Sequence, residues 1–206
     1  MFGFFKHQDP IQKFWNWFQA NEKSLRDFQK DPDSALTQVL ENLVKIREGL
    51  AVEFDLSQNG VIITTISADG DIVLFPVVQE VVARAPEIQG WAFVAFRQRI
   101  PEDRLKEISV KTEDCELNPV KMKFFPMIEG DSLDVIVYVN GVTEENYDQV
   151  AYAGLLLIDN ILGEYDCVTK VRQYDFQTMP EEQEELEGLL PLPELAKYVD
   201  NFHRKK

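Results

Sequence analysis

Histidine and cysteine are nearly missing from this chain, with two of each among 206 residues. His7 and His203 lie near the two ends. A histidine-based metal site is therefore not expected, and neither is a cysteine or serine nucleophile activated by a histidine base. Cys115 and Cys167 are too few for a disulfide-stapled scaffold, so both are read as small buried hydrophobes, unlinked, near a strand end and a strand start respectively. No glycine-rich phosphate loop, nucleophile elbow or paired-histidine zinc motif occurs. No cofactor and no metal are expected.

Long apolar runs are also lacking. The longest, 150–162, is interrupted by Asp159 and falls short of the roughly 20 residues a membrane span needs. Residues 1–5 are apolar, but Lys6, His7, Gln8 and Asp9 follow at once, the reverse of an export signal. The expected location is the cytoplasm. Basic charge is scarce as well: 21 Lys and Arg against 36 Asp and Glu leave a net charge of −15. That field repels phosphate backbones and anionic lipid surfaces, so neither nucleic acid nor membrane is an expected partner. Such a charge serves solubility, or it steers a basic protein partner.

What is present suffices for a core. At 45% hydrophobic residues, a chain of this length is expected to fold as one domain without staples. Ile11, Phe14, Trp15, Phe18, Leu25 and Phe28 recur at helical spacing after Asp9-Pro10, which predicts a helix over 10–30. Leu36, Val39, Leu40, Leu43, Val44 and Ile46 mark a second, closed by Gly49. Period two then takes over around Asn59-Gly60, a hairpin signal between 52–56 and 61–66. A short helix follows Pro76, and 91–99 reads as a strand that can pair in parallel with 61–67. Further strands are expected from Ile108, over 120–124 and over 133–139. Thr143 is expected to cap a helix to Gly163 that is apolar almost all round, and so the most buried. A last strand is expected over 165–176, then an acidic linker over 180–188 and an amphipathic helix over 191–203. The fold class is α+β: a two-layer sandwich with a mostly antiparallel sheet and helices on one face.

Asp69-Gly70-Asp71 resembles part of a calcium loop but lacks the later ligands, so a turn is expected. Three constellations remain as candidate sites. Trp17 sits beside the aromatic face of the first helix, either as a partner-binding anchor or as part of a wide packing face. Trp91, Phe93, Ala95, Arg97 and Arg99 alternate onto one face of a strand. The two arginines there either clamp an anion beyond an aromatic floor or pair with local acids. Asp159, Glu164 and Asp166 either supply a general base of raised pKa or form structural ion pairs and caps.

Phe14-Trp15-Asn16-Trp17-Phe18 with Asn21-Glu22, Ile66-Ser67-Ala68-Asp69-Gly70, Ala85-Pro86 before Gly90-Trp91-Ala92-Phe93, and Leu157-Ile158-Asp159-Asn160 with Leu162-Gly163-Glu164 together resemble a family of uncharacterised bacterial proteins, over about residues 11–200. The resemblance implies a bacterial, cytoplasmic protein and carries no catalytic residue. The expected function is non-catalytic: an acidic interaction protein, one version of which neutralises a basic partner such as a toxin, with the oligomeric state left open by the sequence. The alternative is an anion-binding protein or enzyme using Arg97, Arg99 and the acids Asp159, Glu164 and Asp166.

Overall fold

A computed structural model describes residues 9–111 and 116–204. It has the α+β architecture expected from the sequence, with open mixed sheets. The chain divides into two compact units, Met1–Arg97 and Gln98–Lys206, each with its own sheet.

The N-terminal unit opens with α1 (Pro10–Leu25) and α2 (Pro32–Leu43). Both start where an aspartate accepts backbone N–H groups just ahead of a first-turn proline: Asp9 from Ile11 at 2.9 Å, and Asp31 from Ser34 at 3.1 Å. A 3₁₀ turn at Phe28–Lys30 joins the helices. Strands β1 (Ala51–Leu56) and β2 (Ile62–Ser67) form the expected hairpin. After α3 (Phe75–Ala83), strand β3 (Trp91–Ala95) returns parallel to β2. The buried side of α1 meets an aromatic pile: Trp15 lies 4.6 Å from Phe93, and Phe18 lies 5.0 Å from Trp91. The Trp15 indole N–H donates to the Val81 carbonyl at 2.9 Å, so the ring is buried without an orphaned donor.

In the C-terminal unit, β4 (Val110–Lys111) pairs with β5 (Glu116–Leu117). A four-stranded sheet runs β8-β7-β6-β9, built from β6 (Lys123–Glu129), β7 (Ser132–Val139), β8 (Gln173–Thr178) and β9 (Leu190–Pro191). Pairing is antiparallel at β6–β7 and β6–β9 and parallel at β7–β8. Its helices are α4 (Tyr147–Leu162), α5 (Glu164–Lys170), a single exposed turn α6 (Gln183–Leu186) in the acidic linker, and α7 (Leu195–Arg204). Along β7, Leu133, Val135, Val137 and Val139 are buried and the residues between them are half-buried. The buried set shares one core with Val150, Leu157, Ile158 and Ile161 of α4 and Leu195 and Val199 of α7.

Two expectations are corrected. Residues 164–170 form α5, not a strand, so Cys167, Glu164 and Asp166 stand on a helix. Gly163, at φ 75°, breaks α4, and the Gly163 carbonyl accepts from the Cys167 amide at 2.9 Å to restart helical turns. Glu164 at the positive end and Lys170 at the negative end suit a short helix, overriding the β-preferring Tyr165, Val168 and Thr169. Helix α4 is not buried all round: Tyr152, Leu155 and Leu156 form an exposed stripe, with Tyr152 at 68%.

At Gly154 the α4 backbone lies directly against a side chain of the sheet. A Cβ there would lie 2.1 Å from Cε1 of Phe176 in β8. Gly154→Ala is therefore expected to destabilise by about 1–3 kcal/mol, although alanine is the better helix former by about 1 kcal/mol. Urea unfolding checks this; Phe176→Leu in the same chain should restore part of the loss, and a more stable Gly154→Ala protein would contradict the packing.

Candidate functional site

Strand β3 places Trp91 and Phe93 on one face, their rings stacked 6.3 Å apart and 4° from parallel. Trp91 is buried, with its indole nitrogen 3.4 Å from the Glu22 carboxylate and the Arg26 guanidinium 5.8 Å from its ring centroid. It belongs to the core of the N-terminal unit. Trp17 is half-buried at the margin of the same cluster, 6.3 Å from Phe14 and 6.4 Å from Phe18.

The alternation expected to carry Arg97 and Arg99 past this floor stops at Phe96. That residue takes a left-handed conformation, φ 67°, and its ring turns into the core, 4.6 Å from Phe75. Arg97 is then held by two carboxylates of its own unit, Glu53 and Asp69, each at 2.5 Å. Partial burial opposes its charge, but the bonds to Asp69 and Glu53 outweigh that and raise its pKa.

Arg99 is bound on three sides within the C-terminal unit. Its Nε donates to the Leu162 carbonyl at 2.7 Å. Its terminal nitrogens grip Asp200 of α7 in a two-point fork at 2.7 and 2.8 Å, and one of them also donates to Asp166. Lys170 joins both acids, at 3.0 Å to Asp166 and 3.3 Å to Asp200. The Lys170 carbonyl lies 2.7 Å from Nε2 of His203. The network ties the C-terminal ends of α4 and α5 to α7. Asp200 is its central acid and was not legible beforehand, because nothing local links position 200 to position 99.

Asp159 is half-buried in α4, and Glu164 is fully buried in the first turn of α5. Of the three candidate acids, only Asp166 meets Arg99. A cavity of about 250 Å³ beside Arg99 is lined by Ile100, Pro101, Leu105, Ile161 and Pro193, among others, and by none of those acids. Among the described residues, no group of three or more His, Cys, Asp or Glu could hold a metal ion, and no helix is long and apolar enough to cross a membrane.

Cys167 is a buried free thiol. Burial pushes it up to about 12; Tyr174 opposes this and the neighbouring Asp159 carboxylate adds to it. Cys115 and His7 lie outside the described residues.

The sequence reading missed the outer face of the β6–β7–β8 sheet. Register sets Phe125 beside Ile136 and Ile136 beside Asp175, with Lys123, Tyr138 and Gln177 next along one way and Met127, Asp134 and Gln173 the other. Phe125 is 42% and Met127 45% exposed. Asp134 is bound by Arg172, which also reaches Glu129 at 2.8 Å. Partial burial raises the Tyr138 pKa, and the charges of Glu185 in the acidic linker and of Asp175 add to it. The alternation of β7, with Ile136 and Tyr138 on its outward half, is the one sequence signal that points to the face.

No protein-family model matches the chain, and comparison with curated proteins and with solved structures gives no match either.

Two outcomes are expected. The bond from Arg99, opposed by partial burial and helped by Lys170, holds Asp200 at about 2. This lowered value gives stability that is complete above the ordinary carboxylate range and is lost as pH falls through about 2. After allowance for solvent screening, wild type should lose about 1 kcal/mol more than Asp200→Asn between about pH 5 and pH 2, measured by urea unfolding. Equal losses would contradict the network. Separately, iodoacetamide at neutral pH should label Cys167 only once the protein is unfolded, as peptide mass mapping would read; rapid native labelling would contradict its burial.

Proposed function

We propose that this chain is a non-catalytic binding protein whose partner is a basic protein, held through charge and a small apolar surface. The observation that carries the reading is the disposition of charge. Arg97 and Arg99 are each engaged by two carboxylates of their own units, while Glu181, Glu182, Glu184, Glu185 and Glu187 are exposed and the charge of Glu185 acts on Tyr138 of a sheet face with an apolar centre. Guanidinium groups already engaged in this way are poorly placed to clamp a free anion. The cavity beside Arg99 falls below the roughly 300–1,000 Å³ of typical ligand sites. Complementary charge speeds encounter with a basic partner and selects against acidic ones. The same field disfavours nucleic acid, and the resemblance to bacterial proteins suits a cytoplasmic role such as restraining a basic toxin.

Calorimetric titration tests this with two amphipathic peptides of one pattern, Leu/Lys and Leu/Glu. Only the lysine peptide should bind, and its affinity should fall at least about tenfold as salt rises from about 0.05 to 0.3 M. Equal binding of both peptides, or of neither, would overturn the reading.

A further inference from the structure

We infer that the outer face of the β6–β7–β8 sheet is the docking surface and that it receives an amphipathic basic helix of the partner. The inference rests on the binding role proposed above and names the site and the element that fills it.

The face has the dimensions of a helix seat. Three strands about 4.8 Å apart make a platform about 10 Å across, the width of one helix, and the seven residues of β6 run about 20 Å, or nearly four helical turns. Phe125, Met127, Ile136 and Tyr138 supply its apolar centre; Asp175 stands at its β8 edge, Lys123 beside Tyr138 is its one lysine on β6, and Glu185 is close enough for its charge to act on Tyr138. The other face of the sheet is covered by α4 and α7, whose Leu157, Ile158, Leu195 and Val199 share its core.

Strand addition fits this sheet less well, because both edges are blunted. On β8, the Phe176 N–H is already taken by Asp175 Oδ1 at 3.0 Å. On β6, the Met122 carbonyl accepts from Leu192 on the β9 side, so even-numbered positions face that edge. Beyond β9 the next such position, Pro126, has no N–H to offer. A second copy of the chain is disfavoured, since its own acidic margin and net charge of −15 would meet the same. A helix with a leucine-type stripe and lysines or arginines at its flanks matches both the centre and the margin.

Methionine-methyl NMR separates the possibilities, using a Leu/Lys helix of about 18 residues and a scrambled peptide of the same composition. The amphipathic peptide should shift the Met127 methyl and leave the buried Met122 methyl in place. The double variant Phe125→Ser/Met127→Ser, altered only at exposed positions, should bind at least about tenfold more weakly with its melting temperature little changed. Glu185→Lys should weaken binding as well. Should the double variant fail to fold, the Met127 shift in the wild type decides alone. An unmoved Met127, or equal binding of the scrambled peptide, would overturn the docking site. Salt-sensitive binding would in that case still support the basic partner. Absence of any Leu/Lys binding would overturn both.

Discussion

Packing of α4 against one side of the β7–β8 pair sets the rest of the C-terminal unit. Gly154 lets the helix backbone approach the Phe176 ring more closely than any side chain would allow. That contact directs Val135, Val137 and Phe176 inward. The period of two then sends Asp134, Ile136 and Tyr138 to the opposite face, while the Asp175 carboxylate stays at the β8 edge, where it accepts from the Tyr147 hydroxyl of α4 at 3.0 Å. The proposed docking surface is thus the geometric counterpart of the core.

Charge follows a parallel logic. The chain holds 36 acids against 21 lysines and arginines, and several of its arginines close on carboxylates: Arg97 on Glu53 and Asp69, Arg99 on Asp166 and Asp200, Arg172 on Asp134 and Glu129. Individually such exposed pairs contribute about 0–1 kcal/mol, so their main consequence is placement of helices and strands. The unmatched acids remain outside, with the linker glutamates among them, and lend the surface its sign.

Local chemistry made much of this legible in advance. The aspartate caps and first-turn prolines of α1 and α2, the Asn59-Gly60 turn and the alternation of β7 are all written in neighbouring residues, and the α+β class follows from them. What escaped depended on residues far apart in the chain. The fork between Arg99 and Asp200 spans 101 positions, and no pattern along the chain announces it. The left-handed Phe96 ended an alternation that otherwise pointed two arginines past an aromatic floor. The segment 164–170 carries β-preferring residues, yet helix-end charges and the burial of Cys167 and Glu164 make it α5. The acid run of the linker was plain to see, but its nearness to Tyr138 belongs to the folded chain alone.

Two exposed apolar surfaces of the C-terminal unit compete as docking sites: the sheet face around Phe125 and the α4 stripe around Tyr152. The first is bordered by Asp175 and Glu185, and for that reason it is favoured for a basic helix. Photo-crosslinking decides between them most directly, with benzoyl-phenylalanine placed at position 125 in one protein and at position 152 in another, each irradiated with the Leu/Lys helix. The account predicts a crosslinked product from position 125 and little from position 152. Efficient crosslinking from position 152 with none from position 125 would contradict it.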